Sequence, residues 1–152
     1  MSSDLFRYQG CGLDNVYLTN GYRKTVSTAG QEGLFIEDIE GLHHAIAIVI
    51  VDSSTPLDAM TFKFLRKELD MSQRQIAKTL GVEEQTVSLW ERARAPIPQS
   101  AEIFLRTLTK EICSGNAEML RIVERINTLD RDDRLSIELT KNDGHWEQSK
   151  AA

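Results

Sequence analysis

Gln85, Thr86 and Ser88 set an amide and two hydroxyls close together, and Arg92 and Arg94 add two guanidiniums just beyond them. Amides and hydroxyls donate and accept, so this set suits hydrogen bonding to base edges in a groove of double-stranded nucleic acid. Guanidiniums suit phosphate oxygens. Glu84 is acidic, so phosphate repels it unless it accepts from cytosine N4, and Leu89 offers only a surface for a thymine methyl. This is chemistry of recognition rather than bond-making. Cys11 has no neighbouring His-plus-acid arrangement to activate it as a nucleophile, and no Gly-rich phosphate loop is present.

Those side chains need a rigid carrier, and residues 72–94, SQRQIAKTLGVEEQTVSLWERAR, describe one. Ser72 is placed to N-cap a helix on which Ile76, Ala77 and Leu80 share a face. Gly81 ends that helix by entering the left-handed region without a Cβ clash. A second amphipathic helix follows, with Val87 and Trp90 inward and Gln85, Thr86, Ser88 and Arg92 outward. Two short helices joined by a Gly-containing turn predict a helix-turn-helix.

Residues 61–98 resemble the helix-turn-helix of the XRE family, which includes the lambdoid phage repressor and Cro proteins. The resemblance is carried by Leu65-Arg66, Ser72-Gln73, Ile76-Ala77, Leu80-Gly81-Val82, Val87, Trp90-Glu91 and Pro96. It implies a DNA-binding transcriptional regulator, acting as a homodimer on an operator in double-stranded DNA. Gln73 and Arg74 then open the first motif helix, with Gln73 touching phosphate or bracing the reader. Glu84, Gln85, Thr86, Ser88 and Leu89 form the reading face, and Arg92 and Arg94 neutralise phosphates. The resemblance also implies an ion pair between Arg66 and Glu91 beneath the motif. Both follow a core position, Leu65 and Trp90, so both fall at the rim of the core.

The composition, 41% apolar and 27% charged over 152 residues, is that of an ordinary globular chain. No stretch is long and apolar enough to span a membrane, and the N-terminus lacks a signal-peptide layout. A cytoplasmic setting with two reduced thiols, Cys11 and Cys113, is the expectation. The net charge of −5 is unevenly spread. Residues 56–110 carry nine Lys/Arg against seven Asp/Glu, whereas residues 1–55 carry three against seven and residues 111–152 six against nine. A mildly basic centre with acidic flanks fits a DNA-binding module with protein-contacting arms and modest non-specific affinity.

Asn20-Gly21 between NVYLT and YRKTVST predicts a β-hairpin. GQEG at 30–33 predicts another turn and LFI at 34–36 a third strand. The stretch AIAIVIV fits a strand or a helix; the spacing of Ile39, Leu42, Ile46 and Val49, with Asp38 as cap, favours a helix over about 39–50. Thr55-Pro56 predicts the start of the next helix, running to about Leu69 and burying Phe62, Leu65 and Leu69. Beyond the reader, Ile97 should return to the core, and a helix with Ile103, Phe104 and Leu108 inward should end at Ser114-Gly115-Asn116. Residues 117–127 predict an amphipathic helix with Met119, Leu120, Val123 and Ile126 on one stripe. Leu135, Ile137 and Leu139 alternate, so 134–140 predicts a strand that could join the N-terminal sheet, and Asp143-Gly144 is a further turn signal.

His43-His44 invites a metal, but adjacent helical residues point about 100° apart, and no Cys or His stands at zinc-site spacing nearby. No metal site, catalytic residue or cofactor is expected. The predicted fold is α+β and mainly helical. It divides into an N-terminal β-rich region with a helix at 1–54, the helix-turn-helix domain at 55–114, and a C-terminal extension suited to dimerisation at 115–152. A β-rich region ahead of such a domain also resembles MqsA-type antitoxins, whose N-terminal part binds zinc, although this chain lacks the paired CxxC motifs. The alternative function is therefore an antitoxin or adaptor whose acidic flanks bind a basic, toxin-like partner protein.

Overall fold

The computed structural model describes residues 5–128 and 136–149, with side chains at 126–128 left aside. Two short strands, β1 (Phe6–Arg7) and β2 (Tyr17–Leu18), precede a hairpin of β3 (Tyr22–Val26) and β4 (Glu32–Ile36). Six helices follow: α1 (Ile39–Asp52), α2 (Ala59–Glu68), α3 (Gln73–Leu80), α4 (Glu84–Glu91), α5 (Gln99–Cys113) and α6 (Glu118–Thr128). A last hairpin joins β5 (Leu139–Asn142) to β6 (His145–Gln148). The chain is thus mainly helical, with small β elements at both ends.

The helices are fixed by local capping chemistry. At α2 the Asp58 carboxylate accepts from the Thr61 amide at 2.8 Å while the Thr61 hydroxyl accepts from the Asp58 amide at 2.9 Å. Ser72 and Gln75 repeat this reciprocal box at α3, and Gly81 closes α3 at φ 72°. At α1, Asp38 folds back to accept from the Gly41 amide at 3.1 Å. A Cβ at 41 would collide with the Asp38 carboxylate, so a larger residue there would displace that cap.

The start expected at Thr55-Pro56 is corrected to Asp58. Thr55 is used elsewhere: its amide donates to Ser53 and its carbonyl accepts from Arg106. The intervening residues also carry Leu57 into the core, where its amide donates to Glu102 at 3.0 Å.

Phe62, Leu65, Ile76, Val87, Leu105 and Leu108 form the centre of the core, all fully buried. The Trp90 ring meets Phe62 edge-on, with centroids 5.7 Å apart, an arrangement favoured by the ring quadrupoles. Ala47 and Val51 of α1 and Leu13 of the N-terminal segment join this same core. Helix α1 lies along α5 and α2 and buries Ala47 and Val51 against them, whereas Ile39 and Val49 of the spacing that favoured a helix are exposed.

Three placements differ from the sequence reading. Asn20-Gly21 does not join paired strands: β2 pairs with β1, Phe6 opposite Leu18, and β3 pairs with β4, Tyr22 opposite Ile36. The favoured two-residue turn needs positive φ at both central residues, and only Gly21 has it. Ile103 points outward and is exposed, since α5 presents Ala101, Leu105, Leu108 and Thr109 to the core instead. Phe104 is half-buried beside them. The C-terminal strand does not join the N-terminal sheet; β5 pairs with β6 through a left-handed Asp143-Gly144 turn. Leu135 lies outside the described residues.

Part of the α6 stripe is used within the chain. Val123 is buried and Met119 packs on the core, with α6 lying against α3 and α5. The Ile126 side chain lies outside those described.

Candidate nucleic-acid interface

Helix α4 is held from below. Arg66, at the core end of α2, donates from Nε to Glu91 Oε2 at 2.6 Å and from Nη2 to Glu91 Oε1 at 2.8 Å. Its third nitrogen, Nη1, donates to the Met71 carbonyl at 2.9 Å, just before the α3 cap. The Gln73 amide adds a bond to Glu91 Oε1 at 3.2 Å. The two charged side chains are only 9% and 2% exposed, so this is a desolvated, bidentate pair rather than a surface contact. It ties α2, the turn before α3, the first residue of α3 and the end of α4 into one unit. Gln73 therefore braces the end of α4.

The other face of α4 is open. Glu84 and Gln85 in its first turn are exposed, Thr86, Ser88 and Leu89 are half-buried, and Val87 and Trp90 point inward. Glu83 at the N-cap makes no side-chain cap bond. The carboxylates of Glu83 and Glu84 complement the positive helix end instead. A phosphate approaching that end would meet two negative charges, which leaves the first turn suited to base edges more than to backbone.

Arg74 on α3 and Arg94 beyond α4 are exposed. Arg92 is exposed too, but its Nε also donates to the Ser88 carbonyl at 3.3 Å and so helps to close its own helix. Ala93 follows in the left-handed region at φ 56°, with its amide bonded to Trp90 and that of Arg94 to Leu89. An L side chain there is strained by about 1–2 kcal/mol. Ala93→Gly should raise stability by about 0.5–1 kcal/mol, the strain relieved less the greater freedom of glycine in the unfolded chain. Urea unfolding measures this; an unchanged or lowered midpoint would show that the strain is absent.

Two polar clusters were not found from the sequence. In one, His43 joins three segments: Nε2 lies 2.9 Å from the Tyr8 hydroxyl and Nδ1 2.9 Å from Glu68. The histidine pair thus has a structural use at His43. Burial pushes the Tyr8 hydroxyl pKa up, with further contributions from Cys11 and Glu68. In the other, Arg106 of α5 gathers the carbonyls of Ile50, Val51, Ser53 and Thr55. The Glu102–Arg106 spacing is visible in the sequence, but backbone acceptors some fifty residues away are not. Among the described residues, no group of three or more His, Cys, Asp or Glu side chains is arranged to hold a metal ion.

Two helices at a Gly-closed turn, with an inward face locked by an ion pair and an outward polar face, define a helix-turn-helix. Residues 62–109 match the family model described as helix-turn-helix, which places an XRE-type domain over α2 to α5. The match leaves α1 and the terminal hairpins outside it. No curated protein and no solved structure gave a significant match to the chain. The domain implies DNA binding, as is typical of non-enzymatic regulators. No helix among the described residues is long and apolar enough to cross a membrane.

Proposed function

We propose that the chain is a dimeric, sequence-specific repressor of transcription that reads double-stranded DNA with α4. The observation that carries this reading is the contrast between the two faces of α4. The inner face is fixed by Val87, Trp90 and the buried Arg66–Glu91 pair, and the outer face is left free at Glu84 and Gln85. A rigid helix with an unspent polar face is what direct readout in the major groove requires. Selection of bound sequences from a random DNA pool tests it: enrichment of a short palindromic site is expected, and a pool with no enriched motif would overturn it.

Within this reading Gln85 contacts a base edge, and Arg94 a phosphate. Gln85→Ala should relax preference at one position at a cost of about 1–3 kcal/mol. Arg94→Ala should weaken operator and random DNA alike and reduce the salt slope by about one counterion. Uniform loss on both DNAs for Gln85→Ala would remove it from the reading face.

One reading helix spans few base pairs, so two copies on neighbouring half-sites supply useful affinity. Light scattering should show a dimer, in which the reading helices are expected to lie about 34 Å apart, one DNA turn; a monomer both with and without DNA would count against it. With Met119 and Val123 of α6 packed on the core of their own chain, the N-terminal region is the better candidate for the contact between copies.

A second reading, an antitoxin or adaptor, is favoured by the C-terminal hairpin. Trp146 and Leu139 on it are 67% and 56% exposed. Two-stranded hairpins are marginal alone, which suits a segment that docks on a basic partner protein. Co-purification with the product of an adjoining toxin-like reading frame would support this role.

A further inference from the structure

Between α1, the end of α2 and the end of α5 lies a hollow of about 430 Å³. That size is within the range of small-molecule sites. Its floor is made by small or buried side chains, Ala47, Leu69 and Thr109, with Ile112 forming one wall. The hollow exists because residues 47 and 109 are too small to fill it.

The ionisable groups around this floor are unbalanced. Glu40 and Glu68 line the hollow with His43, His44 and Cys113, and no lysine or arginine is among the lining residues. Glu68 uses Oε1 on His43. The negative charge of Glu68 is felt on both sides: the Cys113 thiol and the Tyr8 hydroxyl are each pushed up mainly by burial and further by Glu68. An apolar floor beside two carboxylates, one of them bonded to His43 through a single oxygen, favours a ligand with the opposite charge and a compact greasy body.

We propose that this hollow binds a small organic cation, a primary ammonium on a compact apolar body. The ammonium sits between Glu68 and Glu40, and the body rests on Ala47, Leu69 and Ile112. A ligand there touches α1, which lies outside the helix-turn-helix match, and also Leu69, close to the Arg66–Met71 bond that steadies the reader. Its occupancy is independent of whether the chain represses transcription, so the binding test stands apart from the DNA experiments above.

Benzylammonium is the probe, with benzyl alcohol and benzoate as controls, titrated calorimetrically into the full chain. Benzylammonium should bind saturably, benzyl alcohol about fivefold or more weakly, and benzoate not at all, as loss of one ion pair predicts. In Cys11→Ser protein, benzylammonium should slow alkylation of Cys113 by iodoacetamide. Glu68→Gln should weaken binding about fivefold. Because that change also disturbs the His43 bond, Glu40→Gln is the second variant; it should weaken binding while lowering the unfolding midpoint only slightly, through the loss of one charge from the first turn of α1. Equal affinity for the amine and the alcohol, unprotected Cys113, or unchanged binding in both variants would each overturn the proposal.

Discussion

Arg66→Ala should cost about 3–5 kcal/mol of stability, because it leaves the Glu91 carboxylate buried without its partner. The Glu91 side chain is 2% exposed and, among the described residues, its two oxygens accept from Arg66 and Gln73. Loss of the guanidinium leaves one neutral amide to hold a charge that water cannot reach. At this chain length each kcal/mol shifts the midpoint by roughly 2–4 °C, so the change is large in a thermal scan. DNA binding should fall as well, although Arg66 lies beneath the motif, because the end of α4 is released.

The double variant Arg66→Met with Glu91→Leu separates a stranded charge from a useful ion pair. With both charges gone, most of the stability should return. Recovery should be incomplete by about 1–3 kcal/mol, since the Met71 carbonyl also loses the donor that Nη1 provides. Arg66→Lys should fall between, as an ammonium cannot span both carboxylate oxygens in parallel. A loss below about 1 kcal/mol for Arg66→Ala, the range of exposed pairs, would show that the site is wetter than its packing implies.

What was legible in the sequence was mostly local. Ser72 and Gly81 declare the ends of α3 because each cap is completed by a residue within one turn. Val87 and Trp90 declare the inner face of α4 by spacing alone. Asp143-Gly144 and Asn20-Gly21 carry the same turn signal, yet only the former joins a pair of strands. The difference is competition: β2 is taken by β1, and Tyr22 of β3 stacks on Phe6 at 4.7 Å, so the strands flanking Asn20-Gly21 have other partners. A turn dipeptide records what the backbone tolerates; the pairing is decided by residues far along the chain. Thr55 failed as a cap for a related reason. Asp58 has a reciprocal partner in Thr61, and two bonds outweigh one. The candidate reading face was legible as a set of residue types, whereas the tie between Gln73 and Glu91 needed the fold to show it.

Arg106 shows the limit of such reading and gives the second large effect. Helix α1 ends with no basic residue in its last turn, so its final carbonyls need a donor from elsewhere. Arg106 supplies it across the helix pair, with Nη1 3.1 Å from Ile50 O, 3.1 Å from Val51 O and 2.8 Å from Ser53 O. Glu102 orients the guanidinium through Nε at 3.1 Å and holds the Leu57 amide with the same oxygen. One side chain thereby fixes both the end of α1 and the segment leading to α2. Arg106→Ala should cost about 2–4 kcal/mol: single bonds to a charged donor contribute about 1.5–3 kcal/mol, and water replaces part of this partly exposed set. The loss should be local. The Asp58–Thr61 box and the Arg66–Glu91 pair do not depend on Arg106, so amides of α1 should exchange faster while those of α3 and α4 keep their protection. Arg106→Lys should restore part of that protection, since an ammonium still reaches some of the carbonyls but gives up the oriented contact with Glu102. Equal acceleration in α1 and α4 would mean that the whole core rests on Arg106, and no acceleration in α1 would mean that apolar contact through Ala47 and Val51 suffices to hold the helix in place.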